Sequence, residues 1–380
     1  MTTTSTVHAL IDPDTPFAVV DEEKALRNAQ RLRAHLDRLG VVQRPHVKTS
    51  KSVPAALMMH GDQPGPITVS TLAEAEGFAA AGFIDITYAV GIAQHKLPRV
   101  IELLRRAVTV TVLVDSIEQA RAVAAASAEE NLRVPALIEI DADGHRGGVL
   151  PGHPILTRIG RILHDAGCLA GVLTHAGESY FAATDDAKRA AALEERDAVV
   201  EAAQSLRAAG ITVETVSMGS TPTAHFAEDL TGVTEVRAGN YIFFDLVMAG
   251  IGVCRIEDIA LSVVVTVIGH RPEKGWVLTD GGWMATSRDR GTARQFVDQG
   301  YGLIADLDGT LIPGLVMTDA SQEHGILTVR EGQPLPDLPI GTRLRVLPNH
   351  ACATAAQYAR YHVIGRDRTI TDTWDRIQGW

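Results

Sequence analysis

The sequence predicts an α/β fold in which a (β/α)8 barrel is followed by a smaller, mostly antiparallel β domain. Eight apolar, β-rich runs alternate with helical patterns over the first two thirds of the 380 residues, as in a closed parallel barrel. From about Ile259 the pattern changes to short strands separated by glycine, proline and aspartate turns. A doubly wound open sheet would give the same alternation, and the count of eight strands favours the barrel.

Each predicted element follows from its own pattern. The first helix, 22–39, has apolar residues at helical spacing and ends at Gly40. The predicted barrel strands are the run that reaches Lys48 and residues 67–70, 85–90, 108–115, 134–141, 168–174, 213–218 and 233–237. Further helices are predicted at 52–60, 72–81, 97–106, 117–130, 155–166 and 186–209. Short strands are predicted at 261–270, 276–279, 303–306, 326–329 and 343–346. We therefore place the barrel at 22–255. The β domain comprises 256–380 together with the N-terminal residues 1–21.

The composition excludes several classes of partner. A hydrophobic share of 46% with a net charge of −11 indicates a globular protein that binds neither nucleic acid nor an anionic membrane. Residues 1–13 lack the regions of a secretory signal, and no apolar run approaches the roughly 18 residues that cross a bilayer. Three cysteines without a CxxC pair fit a reducing compartment. We expect a cytoplasmic protein.

The segment 44–51 (RPHVKTSK) places a lysine where a reactive amine is useful. Lys48 comes at the end of a predicted strand, beside hydroxyl groups and directly before a helix. The carboxyl ends of barrel strands form the active-site face, and partial desolvation there activates an amine. The alternative is that Lys48 and Lys51 are surface lysines that flank a helix start.

Two glycine-containing turns follow the last two barrel strands. They are 219–222 (GSTP) and 238–241 (AGNY), at the strands where barrels commonly bind a phosphate. Glycine lets the backbone approach a ligand closely, and N–H groups with hydroxyls bind phosphate oxygens. The alternative is two tight turns that need glycine only for their geometry.

His350 and Cys352 form a candidate metal pair in the β domain. Two residues apart in an extended loop, they would point the same way, and imidazole with thiolate suits zinc. Two protein ligands leave positions open for water or substrate. The alternative is a buried small cysteine and a loop histidine.

Six segments together carry a family resemblance. They are 44–51 (RPHVKTSK), 143–148 (DGHRGG), 174–177 (THAG), 219–223 (GSTPT), 236–241 (VRAGNY) and 348–352 (PNHAC). In this order and spacing they resemble the D-serine dehydratase and D-threonine aldolase group of fold-type III, alanine racemase-like enzymes, which use pyridoxal phosphate. Cys352 stands where the aldolases tend to carry aspartate, so the resemblance favours the dehydratases.

The resemblance implies a role for each matching residue. Lys48 would bond the cofactor covalently and then act as the base for the Cα proton. The phosphate would be held by Gly219, Ser220, Thr221, Gly239 and Asn240. Arg146 and Tyr180 would bracket the ring or its phenolic oxygen and act with Lys48 in catalysis, and His175 would also bind the cofactor. Tyr241 or Arg237 would meet the ring nitrogen.

The resemblance also implies the reaction and the partners. His350 and Cys352 would bind a divalent metal, most simply zinc, although magnesium, manganese and cobalt remain open. The expected reaction converts a 3-hydroxy-D-amino acid, hydroxyaspartate first, to a 2-oxo acid and ammonia. D-Serine dehydration and retro-aldol cleavage to glycine and an aldehyde are the alternatives. Arg288 or Arg290 would bind a β-carboxylate, unless 287–294 is only a charged surface loop. A homodimer is expected.

Overall fold

A computed structural model describes residues 9–144, 146–330 and 334–380, so position 145 of the 143–148 segment lies outside the described residues. Strand β1 (Phe17–Asp21) and helix α1 (Glu22–Leu39) come first. The barrel strands are β2 (Val42–Gln43), β3 (Ile67–Val69), β4 (Asp85–Gly91), β5 (Thr109–Val114), β6 (Ala136–Ile140), β7 (Leu169–Thr174), β8 (Thr215–Met218) and β9 (Glu235–Val236). The accompanying helices are α2 (Val53–Met59), α3 (Leu72–Ala80), α4 (Leu97–Arg105), α5 (Ile117–Glu130), α6 (Pro154–Asp165), α7 (Asp185–Ala208), α8 (Thr221–Phe226) and α9 (Leu246–Gly250).

The eight strands form one parallel sheet in the order β2-β9-β8-β7-β6-β5-β4-β3. Beyond β2, His46 pairs in parallel with Thr68 of β3. The His46 N–H also donates to the carbonyl of Ala238, which follows β9. The segment after β2 therefore bonds to both ends of the sheet, and this closure confirms the predicted barrel.

Local signals explain why the helices begin where they do. Thr71, Ser116 and Thr184 precede α3, α5 and α7, and each side chain accepts a backbone N–H from the first turn. Helix α1 ends before Gly40, whose φ of +69° suits glycine. These caps place the helix ends within one residue of the predictions.

The second sheet contains β1 with the remaining strands. These are β10 (Leu261–Arg271), β11 (Trp276–Thr279), β12 (Gly302–Ala305), β13 (Leu311–Ala320), β14 (Gly325–Val329), β15 (Arg343–Pro348), β16 (Arg360–Ile364) and β17 (Ile370–Asp375), with helices α10 (Trp283–Thr286) and α11 (Ala351–Ala355). Strands β10, β11, β14, β13, β12 and β15 close into an antiparallel ring. Its core is formed by buried valine, leucine, isoleucine and methionine side chains. Strand β1 pairs with β10 and β16, so the extended segment before α1 is part of this sheet.

Three strands of this domain were not predicted. Strand β13 contains Pro313 and Gly314 and has no regular alternation of buried residues. Strand β17 lies at the edge of the sheet, and most of its side chains are exposed. Strand β16 pairs in parallel with the distant β1. Such strands are specified by their neighbours more than by their own pattern.

Spatial contacts divide the chain into two compact units. One unit comprises residues up to 28 with 242–376, and the other comprises 29–241 with 377–380. This grouping puts 242–255 with the β domain, and it puts the last four residues with the barrel. Within the described ranges, no helix is both long enough and apolar enough to cross a membrane.

Candidate active site

Lys48 lies in a turn directly beyond the segment that closes the barrel. Residues 47–50 form this turn, and the Lys51 N–H donates to the Val47 carbonyl at 2.7 Å. The predicted strand through Lys48 was wrong in this detail, because strand pairing ends with the bridge at His46. The turn places the amine at the active-site face of the barrel.

Lys51, the other candidate amine, makes structural contacts. Its Nζ lies 3.3 Å from Oε2 of the buried Glu74 and 5.8 Å from the ring centroid of Trp380. Its carbonyl accepts a hydrogen bond of 2.7 Å from the Ile377 N–H. Because Lys51 is held on all these sides, Lys48 is the better candidate for the reactive amine.

Two histidines beside Lys48 are held neutral. Burial, with Lys48 and Arg237 nearby, holds the pKa of His46 well below its ordinary value. His46 Nδ1 therefore accepts a hydrogen bond from the Lys48 N–H, at 3.4 Å. Burial, reinforced by Lys48, also lowers the pKa of His175 to about 3, and its Nδ1–H donates to the Gly219 carbonyl at 3.0 Å. Neither ring adds positive charge at neutral pH.

Arg237 belongs to a chain of polar side chains inside the barrel. Its Nε donates to Ser217 Oγ at 2.9 Å, and its Nη2 donates to the Thr174 carbonyl. Ser217 and Arg44 donate to the two oxygens of Glu235, each at 2.7 Å. Burial lowers the pKa of Arg237 to about 10, so the guanidinium stays charged at neutral pH. The barrel thus holds a fixed cation near the Lys48 turn.

The turn after β8 has the features of an anion-binding loop. Ser220 caps α8, and its Oγ accepts the Thr223 N–H at 3.2 Å. Gly219 has a φ of +132°, and a Cβ there would lie 2.8 Å from the backbone nitrogen of Arg237. The Thr221 Oγ1 is buried and, among the described residues, has no hydrogen-bond partner. A buried hydroxyl without a partner is costly, so it suits an oxygen of a bound ligand.

The turn after β9 packs tightly against the closing segment. A Cβ at Gly239 would lie 2.4 Å from the His46 carbonyl oxygen. Asn240 is buried and begins a short 3-10 turn. Tyr241 is also buried, and its hydroxyl accepts a hydrogen bond of 2.5 Å from Gln43 Nε2. This hydroxyl is therefore engaged with β2.

Arg146 and Tyr180 follow neighbouring strands at the same face. Arg146 comes after β6 and is half exposed. Tyr180 lies in the 3-10 turn after β7, with its ring centroid 6.3 Å from that of His175. Lys48, Arg146 and Arg237 all act electrostatically on His175. The barrel therefore brings these predicted residues close to one another.

His350 and Cys352 lie where β15 leads into α11. His350 has an extended backbone, with a φ of −135°, and Cys352 lies in the first turn of α11. The predicted extended loop was wrong at Cys352, because the helix has already begun there. The two side chains are still within hydrogen-bonding range of each other, so both can reach one ion.

Two aspartates orient this pair. Asp289 Oδ2 accepts a hydrogen bond of 2.6 Å from His350 Nδ1, which leaves Nε2 available to a metal. Asp245 Oδ2 accepts the Ala351 N–H, between the two candidate ligands, at 2.8 Å. An oriented imidazole beside a thiol is a suitable donor set for a divalent metal ion.

The two candidate substrate arginines differ in their contacts. Arg290 donates to Asp298 at 2.5 Å and lies 5.4 Å from the Tyr301 ring centroid. Arg288 is exposed and lies 5.1 Å from the ring centroid of Trp283. In the described part of the chain no carboxylate pairs with Arg288. Arg290 Nε is buried and has no hydrogen-bond partner in the described ranges, so both arginines keep a donor for a ligand, and they differ in that Arg290 is already paired with a carboxylate.

Sequence reasoning missed three residues that organise these sites. His46 and Asp289 lie inside the segments 44–51 and 287–294, which the sequence analysis singled out without giving these two residues a role. Glu195 lies inside α7 and is fully buried. No motif in the sequence distinguishes Glu195 from the other acidic residues of that helix.

Comparison with known proteins covers nearly the whole chain. Residues 20–247 match the alanine racemase N-terminal domain, and residues 260–364 match a putative serine dehydratase domain. D-threo-3-hydroxyaspartate dehydratase of Delftia sp. (strain HT23) is 53% identical over 377 residues, covering 98% of this chain and 99% of that protein. The chain belongs to the family of alanine racemase-like enzymes that includes this dehydratase.

Solved structures agree with this membership and confirm the fold class. The structure of the Delftia enzyme gives a TM-score of 0.95 and covers 98% of this chain and 100% of that chain. Another structure of that dehydratase is of a cysteine-to-alanine mutant in the metal-free form. D-threonine aldolase from Filomicrobium marinum is 27% identical, with a TM-score of 0.82 and coverage of 97% and 96%.

Membership implies pyridoxal phosphate and a metal ion, and the residues present fit both groups. For the cofactor, the barrel offers the Lys48 amine, a fixed cation in Arg237 and the buried Thr221 hydroxyl that has no partner in the described ranges. For the metal, the β domain offers His350 Nε2 and the Cys352 sulfur. In both cases the chemistry of the donor atoms is what fits the group.

Proposed function

We propose that this protein is a dehydratase, dependent on pyridoxal phosphate and a divalent metal, that converts D-threo-3-hydroxyaspartate to oxaloacetate and ammonia. The observation that carries the proposal is the 53% identity, over 98% of the chain, to an enzyme of that name. The reaction removes the Cα proton and the β-hydroxyl as water. Hydrolysis of the released enamine then returns one water and yields the 2-oxo acid and ammonia.

The barrel residues bind the cofactor and move one proton. Lys48 would hold the cofactor through its amine, and the same amine, when free, would take the Cα proton of the substrate. The bound cofactor supplies an electron sink for the pair left at Cα. Ser220, Thr221, Gly239 and Asn240 would hold the phosphate, with Gly219 shaping the turn, and Arg146, His175 and Tyr180 would lie against the ring. We propose Arg237 for the ring nitrogen in preference to Tyr241, whose hydroxyl already bonds Gln43.

The β-domain pair holds the metal. We propose zinc, because imidazole with thiolate is a donor set that zinc prefers over magnesium or manganese. The metal supplies Lewis acidity for a hydroxyl that is otherwise a poor leaving group. His350 and Cys352 hold it, and Asp289 keeps the His350 ring in the tautomer that binds through Nε2.

D-Serine dehydration and aldol cleavage are the competing functions. Relatives of both kinds exist, namely D-serine dehydratase of Dictyostelium discoideum at 28% identity and D-threonine aldolase of Arthrobacter sp. at 27%. Cys352 favours a dehydratase, since the resembling aldolases tend to carry aspartate there. We also propose that the enzyme is a cytoplasmic homodimer, and light scattering on the purified protein tests its mass.

A product assay tests the proposed function. Purified enzyme is given D-serine, D-threonine and each 3-hydroxyaspartate stereoisomer, with and without chelator, and 2-oxo acid, ammonia and glycine are measured separately. We expect chelator-sensitive oxaloacetate and ammonia from D-threo-3-hydroxyaspartate well ahead of pyruvate from D-serine, and neither product with Lys48→Ala. Glycine with an aldehyde as the main products would overturn the dehydratase assignment.

A further inference from the structure

Glu195 is a buried carboxylate of α7 that binds two loops of the barrel face at once. Its Oε1 accepts the Ala176 N–H at 2.8 Å and the Gly219 N–H at 3.1 Å. Its Oε2 accepts the Thr223 hydroxyl at 2.5 Å. Ala176 follows β7, whereas Gly219 and Thr223 follow β8. One side chain therefore joins both loops to the middle of a 24-residue helix.

The bonds of Glu195 continue towards residues that we assign to the cofactor. Thr223 Oγ1 lies 3.0 Å from Ser220 Oγ, which lies 2.7 Å from Ser179 Oγ. Ser179 shares its 3-10 turn with Tyr180. The position of Glu195 thus determines where the Ser220 hydroxyl and the Tyr180 turn lie relative to each other.

Gly219 is held through both of its polar backbone groups. Its N–H donates to Glu195, and its carbonyl accepts the His175 Nδ1–H at 3.0 Å. Because the Gly219 N–H is used by Glu195, it is not available to a phosphate oxygen. The contribution of Gly219 to the turn is therefore its conformation, with Glu195 as the group that stabilises it.

The charge of Glu195 has the wrong sign for a direct role in phosphate binding. A carboxylate close to a phosphate turn disfavours an anion electrostatically. Burial raises the pKa of this carboxyl, while the Thr223, Ala176 and Gly219 donors and Arg237 act in the opposite direction. A buried carboxylate at this position stabilises the two loops by accepting three hydrogen bonds, which no apolar side chain can do.

We propose that Glu195 is a positioning residue for the cofactor phosphate. It holds the loops after β7 and β8 in the arrangement that lets Ser220 and Thr221 meet the phosphate. This inference rests on the proposed function, because it assumes that the phosphate binds at this turn.

The test compares the affinity of cofactor-free protein for pyridoxal phosphate with its affinity for pyridoxal, which lacks the phosphate. A general loss of structure weakens the binding of both ligands equally, whereas a misplaced phosphate turn weakens only the binding of pyridoxal phosphate. We expect Glu195→Ala to reduce the preference for pyridoxal phosphate about tenfold or more, the effect of a lost hydrogen-bonded group. The exposed neighbour Glu194, changed to Ala, is the matched control and should keep the preference.

Two conservative variants separate position from charge. In Glu195→Gln the amide oxygen can keep both N–H donors, and the amide nitrogen can donate to Thr223 Oγ1, so we expect the preference to stay within about threefold. Glu195→Asp keeps the charge but shortens the side chain, and we expect a loss like that of Glu195→Ala. This variant decides the test if the alanine variant does not fold.

The outcomes separate this inference from the proposed function. If the unmodified protein shows no preference for pyridoxal phosphate, the proposed phosphate site is wrong, and the role of Glu195 is wrong with it. If the unmodified protein prefers pyridoxal phosphate but Glu195→Ala and Glu195→Asp keep that preference, the positioning role alone is overturned. Equal losses in Glu195→Gln and Glu195→Ala would overturn the positioning role, because the amide of glutamine can keep all three hydrogen bonds.

Discussion

At the scale of single residues, the hydrogen bond made by Nδ1 of each histidine determines which ring nitrogen is left to bind another group. His175 donates from Nδ1 to a backbone carbonyl, and His350 donates from Nδ1 to a carboxylate. His46 instead uses Nδ1 as an acceptor for the Lys48 N–H. The same residue type therefore forms a neutral support beside the amine and, in the β domain, an oriented imidazole that we propose as a metal ligand.

The Asp289–His350 contact leads to a prediction about metal affinity. Asp289→Ala removes the acceptor that fixes the His350 tautomer, and we expect metal affinity to fall about 10-fold to 100-fold. Cobalt titration, followed through the absorption of the thiolate complex, measures this affinity without any turnover. Asp319→Ala changes an exposed aspartate of β13 and serves as the control. Unchanged cobalt affinity in Asp289→Ala would contradict the orienting role.

Arg288 leads to a prediction about substrate choice. In the described ranges Arg288 pairs with no carboxylate, whereas Arg290 is paired with Asp298. We expect Arg288→Ala to raise the KM for hydroxyaspartate about tenfold or more, as for a lost charged hydrogen bond, and to leave the KM for D-serine within about twofold. Arg290→Ala should change the ratio of the KM for hydroxyaspartate to the KM for D-serine less than Arg288→Ala does. Equal changes for both substrates would mean that Arg288 does not bind the β-carboxylate.

At the scale of elements, the site depends on a close approach between the turn after β9 and the segment after β2. Gly239 has no room for a Cβ, which would lie 2.4 Å from the His46 carbonyl oxygen. This approach holds the segment before Lys48 against the barrel. Glycine is therefore needed at 239 for packing, in addition to any contact with a phosphate.

We expect Gly239→Ala to lower the free energy of unfolding by about 1–3 kcal/mol, because the added methyl group overpacks the strand ends. Thermal or denaturant unfolding of the cofactor-free protein measures this cost separately from cofactor binding. Gly152→Ala is the control, since its Cβ would make only an ordinary contact, at 3.8 Å from Glu201. Equal stability of the two variants would show that the barrel ends can separate freely.

At the scale of the whole molecule, buried neutral histidines make stability depend on pH. Burial lowers the pKa of His175 and of His225 to about 3, and it holds that of His46 well lower than usual. The unfolded chain binds protons at these positions below about pH 6.5, and the folded chain does not. Stability therefore falls as the pH drops below 6.5. The raised pKa values of Glu139 and Glu195 act in the opposite direction.

His225 offers the clearest test of this linkage. Its Nδ1–H donates to the Thr221 carbonyl at 2.9 Å, which raises the pKa of the ring, but burial outweighs this bond and lowers the pKa to about 3, so the ring is neutral in the folded protein. We expect His225→Gln to reduce the pH dependence of the unfolding free energy between pH 5 and 6 by about 1.4 kcal/mol per pH unit, which corresponds to one proton. The exposed His324, changed to Gln, is the control. An unchanged slope in His225→Gln would show that this ring is protonated in the folded protein.

The sequence by itself determined the elements whose cause is local. Hydroxyl caps and helical spacing set α1, α3 and α5 to within a residue, and seven of the eight apolar runs set barrel strands to within two residues. The run that reaches Lys48 was placed too late in the chain, because its strand, β2, ends at Gln43. The same local patterns identified Lys48, His350 and Cys352 as candidates, because a reactive amine and a metal pair need particular residue types at short spacing.

Only the tertiary structure decided what lies around those candidates. Strands β13, β16 and β17 are specified by pairing with distant strands, so their own sequences carry little signal. Glu195 is an ordinary acidic residue of a long helix until the fold brings Ala176, Gly219 and Thr223 to its carboxylate. Hydrogen bonds between residues far apart in the chain depend on the closed barrel, and a linear pattern does not record them.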